Sequence, residues 1–406
     1  MPPDAWIEQA RQLAGGDSAR QVMVEVTDAI PGDPLAGVRD AVLSQTPRRR
    51  RAAALSPQWM ETLATAPGSV AFRTYLRLAL TCTSDDYRTM ALDDVVAIIP
   101  EEVRGTPLVR YRLGICGRDH ADVLRAVRAA DEEFVDADYA LSQYAVQARP
   151  YPDLDEALRL LRSAAAAFPR SAAIATTAGN VYQMIEAWPD GLAAYDAALA
   201  LVAGHPDALI GRTIMLSNLS RHQDAIDAAS RLIAGGTWFV AQALYWRAWN
   251  HFQLDDFLTA RADADRARVM MVNAGVFLLS GLIDWKLGRL DSAEREFEEA
   301  LRMDFGQCEA ATFLGGVRNQ RSRHPEALAA FKQAVQCYDL TMALRREAIA
   351  RLQAAEATPS HKAREIARHQ RALEQAEKRR AEAMNGVDLL QKYLTSIPPQ
   401  SRPRSR

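Results

Sequence analysis

The chain has 406 residues, of which 49% are hydrophobic and 25% are charged, and its formal net charge is −2. This composition is ordinary for a folded protein and excludes long fibrous or low-complexity tracts. The charge balance offers no overall attraction to nucleic acid or to an anionic membrane. No stretch approaches the ~20 apolar residues of a membrane helix, and the N-terminus lacks a signal-peptide pattern. We therefore expect a cytoplasmic protein without membrane contact, of bacterial origin by its excess of arginine over lysine.

The cysteines are few and scattered, and no two of them form a CxxC motif: Cys82, Cys116, Cys308 and Cys337. Disulfide frameworks and metal sites usually show more cysteines at closer, regular spacings. We therefore expect four reduced residues in core or surface positions, and a reducing compartment.

The first part of the chain, residues 1–137, reads as helical without a regular period. The segments PDAWIEQARQLA, SVAFRTYLRLALTC and HADVLRAVRAADEEF have apolar residues at helical spacing. The region is either a set of divergent helical hairpins or a separate helical domain. Its charge run, Arg48–Arg51, is either a contact for phosphate or an acidic partner, or a solvated loop. Four arginines without interleaved aromatics are weak support for nucleic-acid binding, which we do not expect.

Residues 138–341 contain an internal repeat. Small residues recur at intervals of 33 to 35 residues near the start of a helical segment: Ala157, Gly191, Ala225, Ala260, Ala293 and Ala327. Four residues later come Leu161, Tyr195, Ala229, Ala264, Phe297 and Phe331. Twelve residues before each small residue come Ala145, Gly179, Thr213, Ala248, Gly281 and Gly315. Small residues let two helices approach closely, and a larger side chain one turn along fills the remaining gap.

This pattern resembles the tetratricopeptide repeat, whose period is about 34 residues. The resemblance is strongest over FLLSGLIDWKLGRLDSAEREFEEAL, residues 277–301, and weakest over 206–240, where Thr213 and Ala229 occupy two signature positions. We count six repeats, at 138–171, 172–205, 206–240, 241–273, 274–307 and 308–341. The resemblance implies an all-α fold, a right-handed α-solenoid of helical hairpins whose apolar faces are buried by stacking.

The C-terminal part, residues 342–395, is expected to form a long helical hairpin, followed by a disordered tail at 396–406. The first helix ends before Pro359, and the second runs through 361–394 with an apolar seam: Ile366, Leu373, Ala376, Ala383, Val387, Leu390 and Leu394. His369 and Arg380 interrupt this seam, so the helix is expected to lie back on its hairpin partner rather than form a strong dimer. His361 and His369 are expected to be solvated.

In tetratricopeptide arrays, the first helix of each repeat lines the concave side, and this implies a partner-binding groove. One stripe of that helix packs on its partner helix, and the stripe one residue later is rotated by about 100° toward the groove. The predicted groove residues are Asn180, Ile210, Ile214, Tyr245, Trp246, Trp249, Phe252, Leu278, Leu282 and Trp285. Alternatively, neighbouring repeats or the chain's own C-terminal helices fill this aromatic stripe.

The sequence contains no recognised catalytic, cofactor-binding or metal-binding motif. We therefore expect a non-enzymatic scaffold or adaptor that binds a protein or peptide through an apolar or amphipathic segment, without a cofactor. The flanking regions would add a second contact or self-associate through the C-terminal helices. The alternative is a signal-responsive regulator, in which the repeats act as a sensor and the N-terminal region binds an effector or DNA.

Overall fold

The computed structural model describes residues 99–105, 110, 113, 121–130, 136–148, 150–167, 169–237 and 239–396. Across these ranges the regular structure is helical, with a short 3₁₀ helix at Glu101–Val103 followed by a succession of α-helices. Arg48–Arg51, Cys82 and Cys116 lie outside the described residues, as do the two helices predicted nearest the N-terminus. None of the helices bounded in these ranges is both long and apolar enough to span a bilayer.

The chain divides into two compact units, Met1–Ala208 and Leu209–Arg406. The first five helices are α1 (Ala121–Ala130), α2 (Asp136–Gln147), α3 (Leu154–Ala167), α4 (Ala172–Met184) and α5 (Trp188–Leu201). The next five are α6 (Pro206–Asn218), α7 (His222–Ala234), α8 (Val240–Gln253), α9 (Phe257–Met270) and α10 (Ala274–Lys286). The last four are α11 (Leu290–Met303), α12 (Cys308–Gln320), α13 (His324–Ala354) and α14 (Pro359–Ser396). From α2 to α13 these helices form six successive hairpins, and the first helix of each hairpin begins within two residues of a predicted repeat start.

The turns inside the hairpins repeat with the same period as the sequence. From the second repeat onward, each turn contains one residue with a left-handed backbone, at φ values from 57° to 72°: Glu186, Ser220, Asp255, Gly288 and Ser322. Only one of the five is glycine, the residue that adopts this conformation without steric cost. The turn geometry is therefore imposed by the packing of the two helices, at four positions against the preference of the local residue.

Close helix crossings explain the phased glycines. A Cβ atom added to Gly179 would lie 2.6 Å from the Tyr195 ring, and one added to Gly281 would lie 2.5 Å from the Phe297 ring. Both rings are completely buried. In the degenerate third repeat, Thr213 stands where the other repeats have a glycine or alanine, and its buried hydroxyl finds a partner because it donates to the Leu209 carbonyl oxygen at 2.9 Å. The small-and-large pattern therefore marks the core of the hairpins, as predicted.

The last repeat and the C-terminal hairpin share one helix. α13 runs without a break for 31 residues, so the boundary expected between residues 341 and 342 falls inside it. α14 packs back along α13 as predicted and reaches its beginning, where the Tyr393 and His324 rings lie 4.7 Å apart. The Phe331 ring contacts a glycine on each side, because added Cβ atoms would lie 2.9 Å from it at Gly315 and 3.0 Å at Gly386. α14 therefore covers the outer face of the last repeat.

Two histidines of α14 differ from the sequence expectation of solvated side chains. His361 is only 5% exposed, and it shares the helical face of the buried seam residues Ala376 and Ala383, about four and six turns further along. His369 is half-buried, and Arg345 Nη1 lies 3.2 Å from its Nδ1. Burial and the adjacent Arg345 charge lower the pKa of His369. Both residues belong to the packed side of α14.

The expectation of four reduced cysteines is wrong for two of them. Cys308 and Cys337 form a disulfide, with their Cα atoms 5.4 Å apart. Their sequence separation of 29 spans α12, the turn after it and the first half of α13. Antiparallel helices bring the start of α12 opposite the middle of α13, a proximity that cysteine spacing alone does not reveal.

Candidate functional site

The predicted groove residues are divided between the two units. Asn180 lies in the first unit, where it is exposed and its Oδ1 accepts a hydrogen bond from the Tyr195 hydroxyl at 2.6 Å. The remaining nine lie in the second unit. Ile210 and Ile214 on α6 are only 6% and 9% exposed, so they contribute to packing rather than to an open surface. The accessible part of the stripe therefore lies on α8 and α10.

On α8, the aromatic side chains are half-buried and contact one another. Tyr245, Trp246, Trp249 and Phe252 all have intermediate exposure. The Tyr245 and Trp246 rings meet edge to face with centroids 5.6 Å apart, and Trp249 lies 6.1 Å from Phe252. Burial raises the pKa of the Tyr245 hydroxyl. Tyr245, Trp249 and Phe252 also pack against a core that includes Leu279 and Ile283 of α10, so the next repeat supports the row from behind.

On α10, the stripe continues with aliphatic side chains and one tryptophan. Leu278, Leu282 and Trp285 are half-buried and pack against the core formed with α12. The Trp285 ring lies 5.7 Å from Phe313, and its Nε1 donates to Gln320 Oε1 at 2.8 Å. Its outer edge lies over Gly316, where an added Cβ would come within 3.0 Å. Glycine at this position therefore leaves room for the indole.

Neighbouring repeats pack against one side of these rings, which is one of the two alternatives that the sequence left open. The other alternative was that the C-terminal helices fill the aromatic stripe. α14 packs on α13 and touches α12. The aromatic row on α8 and α10 is thus held by its own neighbours while part of each side chain reaches the surface.

Sequence reasoning missed a series of ion pairs, which we call the ion-pair ladder, that links the last three repeats: Arg247–Asp263, Arg268–Glu296 and Arg318–Glu294. Arg247 makes a two-pronged contact with Asp263, at 2.6 and 2.7 Å. Arg268 Nη1 donates to Glu296 Oε1 at 2.8 Å, which joins α9 to α11. These pairs connect charged residues that are 16 and 28 positions apart in sequence. The sequence could have indicated them only through the repeat period, by comparing the positions of charged residues in successive repeats.

The centre of the ladder is the buried carboxylate of Glu294. Arg318 Nε donates to its Oε1 at 2.8 Å, and Arg321 and Arg323 also contact it. Burial alone would raise the pKa of Glu294, but the hydrogen bond from Arg318 and the charges of all three arginines together lower it below its ordinary value. Glu294 is therefore held as a carboxylate between the fifth and sixth repeats.

The most exposed apolar side chains of the second unit lie away from the predicted stripe. They lie on α9 and just after it, just after α11, on α13 and on α14: Leu258, Val269, Met270, Val272, Phe305, Leu340, Leu344 and Leu389. No group of three or more histidine, cysteine or acidic residues in the described ranges is arranged to hold a metal ion.

Comparison with known proteins finds similar solved structures. No protein-family model and no curated protein matches the chain. A tetratricopeptide repeat protein from Parabacteroides merdae is 16% identical, with a TM-score of 0.44 over 64% of this chain and 98% of that one. PilF from Pseudomonas aeruginosa is 16% identical, with a TM-score of 0.45 over 51% and 93%. YrrB, described as a TPR protein with an unusual peptide-binding site, is 19% identical, with a TM-score of 0.38 over 44% and 91%.

The repeat assignment rests on the chain itself. The paired helices from α2 to α13, the periodic left-handed turn residues and the glycine–aromatic crossings share one period of about 34 residues. This period and this hairpin arrangement match those of the tetratricopeptide repeat.

Proposed function

We propose that this protein is a non-enzymatic scaffold or adaptor that binds an apolar or amphipathic segment of another protein across its fourth and fifth repeats. The observation that carries this proposal is the row of half-exposed aromatic side chains formed by Tyr245, Trp249, Phe252 and Trp285. Tryptophan and tyrosine are the residue types that most often dominate the binding energy of protein interfaces. Leu278 and Leu282 extend the same surface with aliphatic contacts.

The fixed position of these rings supports the proposal. Ring contacts hold Trp249 beside Phe252, and a hydrogen bond to Gln320 holds the Trp285 indole. Side chains that are already ordered lose little conformational entropy when a partner binds, so more of the contact energy appears as affinity. Ile210, Ile214 and Asn180 do not belong to the proposed contact surface, because the two isoleucines are buried and Asn180 lies in the other unit.

The experiment uses the full chain to select ligands from a displayed library of random peptides. We expect the selected peptides to share apolar or aromatic residues at helical spacing. Trp249→Ala should weaken their binding about five- to thirtyfold, which corresponds to ~1–2 kcal/mol. Trp188→Ala is the matched control, since Trp188 is another half-buried tryptophan but begins α5 in the first unit. It should leave the affinity unchanged.

Both variants are first compared with the wild type by circular dichroism and thermal melting. Binding that survives Trp249→Ala in a folded variant would contradict the proposed surface. If no selected peptide needs the side chains of α8 and α10 for its binding, the proposed ligand class is contradicted as well.

A further inference from the structure

The Cys308–Cys337 disulfide closes the open end of the sixth hairpin. Cys308 is the first residue of α12, and the turn at Arg321–Arg323 connects the other end of that helix to α13. The bond therefore ties the two helices together at the end that has no connecting turn. Each cysteine is 5% exposed.

The disulfide lies inside the seam between the last repeat and α14. It belongs to one apolar core with Tyr338 and Met342 of α13 and with Ala376, Ala383 and Val387 of α14. The Thr341 hydroxyl lies 3.5 Å from Cys308 Sγ. Past Cys337, α13 continues to Ala354 with α14 as its packing partner. The crosslink therefore sits where the extended hairpin joins the repeats.

The contacts that hold α14 beyond this core are weak individually. Arg346 pairs with Glu377 at 3.2 Å, and Arg380 pairs with Asp339 at 2.5 Å, but these side chains are between about one third and three fifths exposed. Exposed ion pairs contribute little to stability. The seam therefore depends more on apolar packing, of which the core around the disulfide is one part, than on these ion pairs.

We propose that Cys308–Cys337 is a structural disulfide that fastens the C-terminal helices to the repeat array, and that the chain is built for an oxidising environment. Its formation oxidises two thiols. Two electrons and two protons pass to a disulfide oxidant RSSR, which leaves as two RSH molecules while the Sγ–Sγ bond forms. This replaces the reducing compartment expected from the cysteine count.

The burial of both sulfurs distinguishes a permanent crosslink from an exchange-active one. Reduction requires a thiolate to reach a disulfide sulfur, and access limits that reaction. Reduction of the bond in the folded chain therefore requires this end of the hairpin to open first. We expect the bond to persist in the folded chain under conditions that reduce it rapidly in the denatured chain.

The first measurement maps the bond in the full chain, purified without reductant. After alkylation of free thiols with N-ethylmaleimide, mass spectrometry of a nonreducing digest should recover a crosslinked peptide pair containing Cys308 and Cys337. Dithiothreitol should then reduce this pair at least tenfold more slowly in the folded chain than in 6 M urea. Alkylation of both residues after oxidant treatment of the folded chain, or equal reduction rates, would overturn the proposal.

The second measurement compares hydrogen exchange in variants. Cys308→Ala and, separately, Cys337→Ala remove the crosslink, and each should speed exchange of peptides spanning 335–345 and 376–390 at least tenfold. The double variant Cys82→Ala, Cys116→Ala keeps the pair and should exchange like the wild type in these peptides. Unchanged exchange in both single variants, with the crosslink present in the wild type, would show that the bond does not fasten the C-terminal helices.

Discussion

Gly281 offers a direct test of the packing between α10 and α11, because the structure leaves no room there for a side chain. An added Cβ would lie 2.5 Å from Cε1 and 2.7 Å from Cδ1 of Phe297. Phe297 is completely buried, and its ring is bounded by Phe313 at 5.7 Å and Trp285 at 6.5 Å between centroids. The ring therefore cannot move aside without disturbing the next repeat.

The expected cost of Gly281→Leu follows from two opposing effects. Replacing glycine inside a helix improves helix propensity by about 1 kcal/mol. Overpacking of a close helix crossing costs roughly 1–3 kcal/mol and sometimes more, and leucine adds four carbons where the first already clashes. We expect overpacking to win, so Gly281→Leu should lower the free energy of unfolding of the surrounding repeats by ~2–4 kcal/mol.

The assay is urea denaturation followed by tryptophan fluorescence and by circular dichroism, because unfolding of a repeat array need not be a single transition. Gly204→Leu is the matched control, since an added Cβ there meets nothing within 4 Å. Phe297→Ala should partly relieve the clash, so the double variant Gly281→Leu, Phe297→Ala should be more stable than the sum of the two single effects predicts. A Gly281→Leu variant that unfolds at the wild-type urea concentration would refute the assigned phase of the repeats.

Three further predictions concern turns, charge and local stability. Ser322→Gly should stabilise the last repeat by about 0.5–1 kcal/mol in thermal melts, because Ser322 has φ 58° and glycine accepts that backbone freely; Gly288→Ser should do the opposite, and equal melting temperatures would contradict both. Glu294 has a lowered pKa when folded, so its contribution is present above the pKa of an unfolded glutamate and is lost as pH falls through the folded value. Glu294→Gln should therefore reduce the fall in the free energy of unfolding, measured by urea denaturation, as the pH drops from about 5 to about 3. An unchanged pH dependence would show that the Glu294 carboxylate is not responsible for that fall. Hydrogen exchange should be faster in the repeat at 206–240, whose Ala229 provides no buried ring, than at 274–307, and equal protection would count against this.

The period of the repeats could be read from the sequence because it is carried by chemically distinctive residues. Gly179, Gly281 and Gly315 recur in phase with aromatic residues, and the structure shows that each pair makes one close helix crossing. The continuity of α13 was less evident. The segment YDLTMALR at 338–345 has no glycine or proline, so the boundary at 341 came from counting repeats rather than from a helix-ending signal.

The candidate site was only partly predictable, because the sequence does not show how far each side chain is exposed. Helix geometry gives the direction of the stripe, and Trp249 and Trp285 do lie partly exposed on successive first helices. The exposure of each side chain also depends on which side chains of the neighbouring helices pack against it, and these differ between repeats. Ile210 is buried whereas the equivalent Tyr245 is half-exposed. The disulfide was missed for a similar reason, since sequence separation says little about which helix ends meet.

The ion-pair ladder connects the stability of the second unit to the surface that it presents. Asp263, Glu294 and Glu296 are between 3% and 6% exposed, and buried ion pairs often add little net stability compared with apolar packing. We interpret their recurrence at successive contacts as a means of fixing register. Apolar surfaces tolerate small sliding movements, whereas the two-pronged contact of Arg247 with Asp263 accepts one relative position of its helices. Because α8 carries both Arg247 and Trp249, the same contact that holds the fourth repeat in register also fixes where its aromatic side chains lie.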